Sequence, residues 1–159
     1  MGQVRELFDD QDGIGIRTLC LAEDGSRLVM GNSAGFVFVW KYSKEEFLPS
    51  HQIEAHLDQY VLKCQLSKDS KYLATCSSDR SCRIWVLNPE EDEYQPFVVL
   101  AGHGGWVWDC DFTVNNDYCI TVSTDTHVRI WKIEKAEVRK VLSGHAKGVT
   151  CLAFRDGVA

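Results

Sequence analysis

The stretch Leu73-Ala74-Thr75-Cys76-Ser77-Ser78-Asp79-Arg80-Ser81-Cys82-Arg83-Ile84-Trp85 decides the fold. It holds two apolar-rich runs, Tyr72 to Cys76 and Cys82 to Leu87, separated by the polar turn Ser77-Ser78-Asp79-Arg80. The second run alternates as Cys82, Ile84, Val86, the period of a strand, and a short polar turn between two such runs predicts a hairpin. Upstream lies a further apolar run, Tyr60 to Leu66, closed by Ser67-Lys68-Asp69-Ser70. Downstream, a weaker strand, Phe97 to Leu100, leads to Gly102-His103. The unit is therefore four short strands with a Trp near the end of the third.

The unit repeats. Trp40, Trp85 and Trp131 recur about every 45 residues, and three similar runs precede them: Ile16 to Leu21, Val61 to Leu66 and Val107 to Phe112. In the third unit, Asp117 to Val122, the turn Ser123-Thr124-Asp125 and His127 to Ile133 keep the order. A fourth unit opens at Val149-Thr150-Cys151-Leu152-Ala153-Phe154. No helical stripe competes. A period of about 40 to 45 residues built from four strands is the signature of a propeller blade. The expected fold is all-β: three four-stranded blades at 14–54, 59–101 and 105–143, plus a terminal strand at 148–154 that begins a fourth.

Composition narrows the function classes. Of 159 residues, 45% are hydrophobic and 25% charged, an ordinary globular balance, and the net charge is −6. That charge speaks against general nucleic-acid binding, which depends on Lys and Arg neutralising phosphates. There is no apolar run long enough to span a membrane, and Met1 to Glu6 does not read as a secretory signal. A soluble intracellular chain is expected. Its seven cysteines, Cys20, Cys64, Cys76, Cys82, Cys110, Cys119 and Cys151, show no C-x-x-C pair. The spacing predicts buried thiols in strands, with no metal ligand set and no cofactor. Asp9-Asp10 and Glu90-Glu91-Asp92 read as solvated loops, and Asp10 to Gly13 lacks the downstream Glu of a calcium loop.

These units resemble the WD-repeat propellers, whose repeats open on Gly-His and close on Trp-Asp. Here the openings are Ala55-His56, Gly102-His103 and Gly144-His145, and the closings Trp40-Lys41, Trp85-Val86 and Trp131-Lys132. The Asp after each Trp is missing. The resemblance implies a hydrogen-bonded tetrad at His56, Thr75, Asp79 and Trp85 in one blade, and at His103, Thr121, Asp125 and Trp131 in the next. Buried Asp and imidazole groups require such pairing, and the indole N–H needs an acceptor. The first blade carries Met30 and Ala34 at the Thr and Asp positions, so it is expected to be held by packing alone. His, Thr and Asp together could suggest nucleophilic catalysis, but recurrence at repeat spacing points to architecture.

A narrower resemblance covers most of the chain. Gly144 to Phe154, Leu73 to Asp79, Gly105-Trp106-Val107-Trp108-Asp109-Cys110, and Asn32-Ser33 with Val39-Trp40 are similar to the G-protein-β-like WD-repeat subunits of the target-of-rapamycin (TOR) kinase complexes. That resemblance implies a seven-bladed ring of about twice this length. It also implies a cytoplasmic, non-catalytic scaffold in nutrient and growth signalling. Its partners would be the catalytic domain of the TOR kinase and other subunits of both complexes, with no nucleic acid and no membrane insertion. Tyr60, Leu62, Trp106 and Trp108 flank the first inward positions of two opening strands. Aromatic side chains gathered at such a rim suit a binding surface. Two rival classes are a generic WD-repeat adaptor for a peptide motif in a ubiquitin-ligase or trafficking assembly, and a propeller enzyme. The second lacks any nucleophile, metal ligand set or coupled carboxylate pair in the sequence.

Overall fold

The computed structural model describes residues 14–155. The readings made above on Met1 to Glu6, Asp9-Asp10 and Asp10 to Gly13 lie outside that range. Twelve strands form three antiparallel sheets of four, each with its strands in chain order. The first sheet holds β1 (Ile16–Leu21), β2 (Arg27–Asn32), β3 (Phe36–Ser43) and β4 (Glu46–Glu54). The second holds β5 (Val61–Leu66), β6 (Tyr72–Ser77), β7 (Ser81–Asn88) and β8 (Glu93–Ala101). The third holds β9 (Val107–Phe112), β10 (Tyr118–Ser123), β11 (Val128–Lys132) and β12 (Glu137–Leu142).

The first strands β1, β5 and β9 pack side by side, whereas the outermost strands scarcely meet. The sheets therefore fan from a common axis as propeller blades do. Two apolar seams join them. Val29, Val37, Val39 and Ile53 meet Cys64, Leu66, Leu73, Trp85 and Tyr94 across the first. Ala74, Cys76, Cys82, Ile84 and Leu100 meet Cys110, Phe112, Cys119 and Trp131 across the second. The middle blade is covered on both faces, so every residue of β6 from Leu73 to Ser77 is buried, not alternate ones.

Two bulges recur in every blade. One lies opposite each Trp, where the register shifts between Val39 and Trp40, Ile84 and Trp85, and Ile130 and Trp131. The other lies at the start of each first strand and leaves Arg17, Leu62 and Trp108 as the extra residue. A bulge bends its strand and redirects the side chain it carries.

Three expectations change. Residues 148–154 form no strand: a lone segment has no ladder to join, and it is held by Val149 N–H to the Ser123 carbonyl and Leu152 N–H to Asp109 Oδ2. The fourth strand of the middle blade begins at Glu93 because Glu93 to Gln95 pair with Val86 to Asn88. In the third blade the strand after the turn ends at Lys132, where a short 3-10 turn, Ile133–Lys135, takes over.

The first blade is also not held by packing alone. Asn32 Oδ1 accepts from the N–H groups of Ala34 and Phe36 at 3.0 and 2.9 Å and closes the turn that Asp would have closed. Gly35 completes it at φ +93°, a conformation that L side chains resist.

Candidate functional site

The tetrad residues meet in the second and third blades. In the middle blade, His56 Nδ1 lies 2.8 Å from Asp79 Oδ2 and Nε2 lies 2.9 Å from Thr75 Oγ1. Trp85 Nε1–H donates to the same hydroxyl at 3.1 Å. In the third blade the corresponding distances are 2.8, 2.7 and 2.8 Å for His103 to Asp125, His103 to Thr121 and Trp131 to Thr121. With Nδ1–H donating to the carboxylate, the hydroxyl donates to Nε2 and accepts from the indole, so each buried polar atom has a use. Asp79 and Asp125 also tie down their turns, accepting through Oδ1 from the backbone of Ser81 and His127.

Burial opposes ionisation of both carboxyls. Hydrogen bonds from His56 and Ser81 to Asp79, and from Gly104, His103 and Arg129 to Asp125, outweigh it and hold both well below the usual carboxylate range. Burial also lowers the His103 pKa; Asp125 counteracts this, and the nearby Arg129 charge adds to it. An imidazole kept this way between a carboxylate and a hydroxyl orients a turn. The hydroxyl it touches is fully buried.

The rim residues lie at the opening ends of the first strands. The carbonyl of the residue just before each strand accepts a hydrogen bond from the turn between the second and third strands, and the N–H groups of Gly15 and Tyr60 also donate back to a serine hydroxyl there. Gly15 and Ser33, Tyr60 and Ser78, and Trp106 and Thr124 form the corresponding pairs. Tyr60 and Trp106 are therefore fixed by backbone and remain 38% and 42% exposed. Their rings meet edge to face at 6.0 Å across the second seam. Trp108 stands beside Trp106, centroids 5.6 Å apart, and its Nε1–H donates to Thr124 Oγ1 at 2.8 Å. Arg17 completes the row, its guanidinium 4.1 Å from the Tyr60 ring centroid.

One row, Arg17–Tyr60–Trp106–Trp108, thus crosses all three blades. Leu62 occupies the equivalent bulge in β5 and is half-buried. Sequence reading missed Arg17, although repeat spacing places it at the position of Leu62 and Trp108. Simple alternation also does not account for the two Trp residues: Trp106 precedes β9, and Trp108 is its bulged residue.

The same fold gathers thiols that spacing kept apart. Cys76, Cys82 and Cys110 are buried with their Sγ atoms all within 4.8 Å of one another. Spacing along the chain does not show this proximity: Cys76 and Cys82 meet by strand pairing, and Cys110 joins them across the seam.

Comparison with known proteins agrees with the repeat reading. The family described as WD domain, G-beta repeat matches residues 47–86 and 94–132. A rat protein named target of rapamycin complex subunit LST8 is 45% identical over 145 residues, covering 85% of this chain and 44% of its own. The Saccharomyces cerevisiae protein of that name is 38% identical over 163 residues, covering 97% of this chain and 51% of its own. An Arabidopsis thaliana protein named non-functional target of rapamycin complex subunit LST8-2 is 41% identical over 104 residues, covering 62% and 32%. The chain spans from a third to about half the length of these relatives.

Proposed function

We propose that this chain, which belongs to the WD-repeat family, is a non-catalytic scaffold of TOR complexes 1 and 2. In this reading it supplies three blades of a seven-bladed ring, and the ring docks on and stabilises the catalytic domain of the TOR kinase in the cytoplasm, in nutrient and growth signalling. The observation that carries the reading is similarity to TOR complex subunits of rat and yeast at 45% and 38% identity across 85% and 97% of the chain. No helix among the described residues is long and apolar enough to cross a membrane.

The row Arg17–Tyr60–Trp106–Trp108 is the surface we assign to kinase docking, with Leu62 at its inner margin. Large aromatics held rigid by backbone lose little entropy on binding, and Trp, Tyr and Arg dominate interface energetics. The side chains of Tyr60, Trp106 and Trp108 supply the apolar anchors, and Arg17 supplies a cation already stacked on one of them.

Affinity capture of the TOR kinase tests this. Trp106→Ala/Trp108→Ala should weaken binding more than tenfold, about 1.4 kcal/mol or more, while the circular dichroism and melting of the variant stay near those of the parent. Unchanged capture by the folded variant removes the row from the interface. Capture of a different partner that presents a linear peptide would favour an adaptor role.

A further inference from the structure

The geometry points to a zinc site buried in the second seam, made by Cys76, Cys82, Cys110 and Cys119. Two thiols come from each blade. Cys76 and Cys82 are direct cross-strand partners on β6 and β7, so their side chains leave one face of the middle sheet together. Cys110 on β9 and Cys119 on β10 lie on the facing sheet, where Cys110 pairs with Thr121 and Cys119 with Phe112, a diagonal relation. Across the seam, the Sγ atoms of Cys76, Cys82 and Cys110 fall within 4.8 Å of one another, and Cys119 is buried in the same cluster, on the same face of the third sheet as Cys110. All four residues are at most 2% exposed.

Tetrahedral zinc with Zn–S bonds of about 2.3 Å places its sulfurs roughly 3.8 Å apart. The three clustered thiols need only small side-chain rotations to reach that spacing, and Cys119, from the same buried face, is assigned as the fourth ligand. Four sulfur ligands and no open position make a closed, structural site, not a catalytic one. Such a site would staple two blades whose only other links are packing and a few polar contacts. Loading displaces thiol protons: Zn2+ and four Cys–SH give the tetrathiolate complex and four H+, so uptake strengthens as pH rises. Burial means that the ion enters as the blades close during folding, and exchange afterwards is slow.

The full chain, expressed in a eukaryotic host with zinc-supplemented and with chelator-treated medium, gives the test. Elemental analysis of the purified protein should find about one zinc per chain. Cobalt substituted for zinc should show the intense visible bands of tetrahedral thiolate coordination. Cys110→Ala and Cys119→Ala should each lose the metal, whereas Cys64→Ala, an equally buried thiol in the other seam, should keep it. Yield of folded chain should fall in chelator-treated medium. A folded chain without metal overturns the assignment, as does metal that survives both cluster substitutions, and as does failure to recover folded chain even with zinc. The four thiols would then be close-packed small apolar groups.

Discussion

At the scale of single residues, Thr75 and Thr121 are the hinges of the two networks. Each hydroxyl serves an imidazole and an indole that are both buried, so removing it strands two polar groups at once. Thr75→Val keeps the shape and should destabilise the chain by about 2 to 4 kcal/mol, measured by urea or thermal unfolding. The networks also set a pH dependence. His103 titrates below its ordinary 6.5, so the unfolded chain takes up that proton first as pH falls. The associated stability is full above about pH 6.5 and declines below it. Asp79 and Asp125 titrate below the ordinary 3.8, and their contribution persists above that value and is lost beneath it. Melting temperature should therefore hold from pH 8 to 7, fall gently through pH 6, and fall steeply below pH 4. Asp125→Asn should lower stability at neutral pH and flatten the acid limb.

At the scale of an element, the first blade shows how a turn survives without the usual residues. Trp40 is buried with its Nε1–H unpartnered, because Met30 stands where Thr75 and Thr121 stand in the other blades. The turn itself is closed by Asn32, which takes over hydrogen bonds that Ser77 and Asp79 share in the middle blade. Asn32→Ala should cost about 2 kcal/mol. Gly35 is more constrained still. A Cβ there would lie 1.8 Å from the His56 carbonyl oxygen, at a positive φ. Gly35→Ala should lower stability by about 3 kcal/mol or abolish folding, read by unfolding or by loss of soluble chain. By contrast Asp92, which holds Arg27 and Lys41 of the first blade from a loop of the second, is half-exposed. Asp92→Ala should change stability by only about 1 kcal/mol, because solvent and salt screen such pairs.

At the scale of the molecule, blades are joined mainly through their first strands. Thr18 Oγ1 accepts from Cys64 N–H, and two positions equivalent in the repeat, Asp109 and Leu152, repeat that contact at the end of the arc. Lys63 reaches Asp109 across the second seam. Coupling runs along one line near the axis, and the aromatic row lies at one end of it. A substitution in the row should therefore affect binding without opening the seams. Hydrogen exchange should separate the two: Trp106→Ala/Trp108→Ala should leave protection of β6 unchanged, whereas Thr75→Val should raise its exchange.

The sequence by itself determined the four-stranded repeat, the turns of the second and third blades, and both tetrads. Each depends on local pattern or on a fixed spacing that strand pairing preserves. It also placed Tyr60, Trp106 and Trp108 at corresponding points of their repeats. Tertiary structure decided three things. Asn32 replaced the missing Asp because a carboxamide two residues earlier, at the position of Ser77, reaches the N–H groups that Ser77 and Asp79 serve in the middle blade. Arg17 joined the aromatic row because a bulge redirects the strand around it and the neighbouring blade brings Tyr60 beneath it. Four cysteines far apart in the chain met in one seam because the register of two facing sheets, unlike the spacing of ligands along a loop, depends on how whole blades pack.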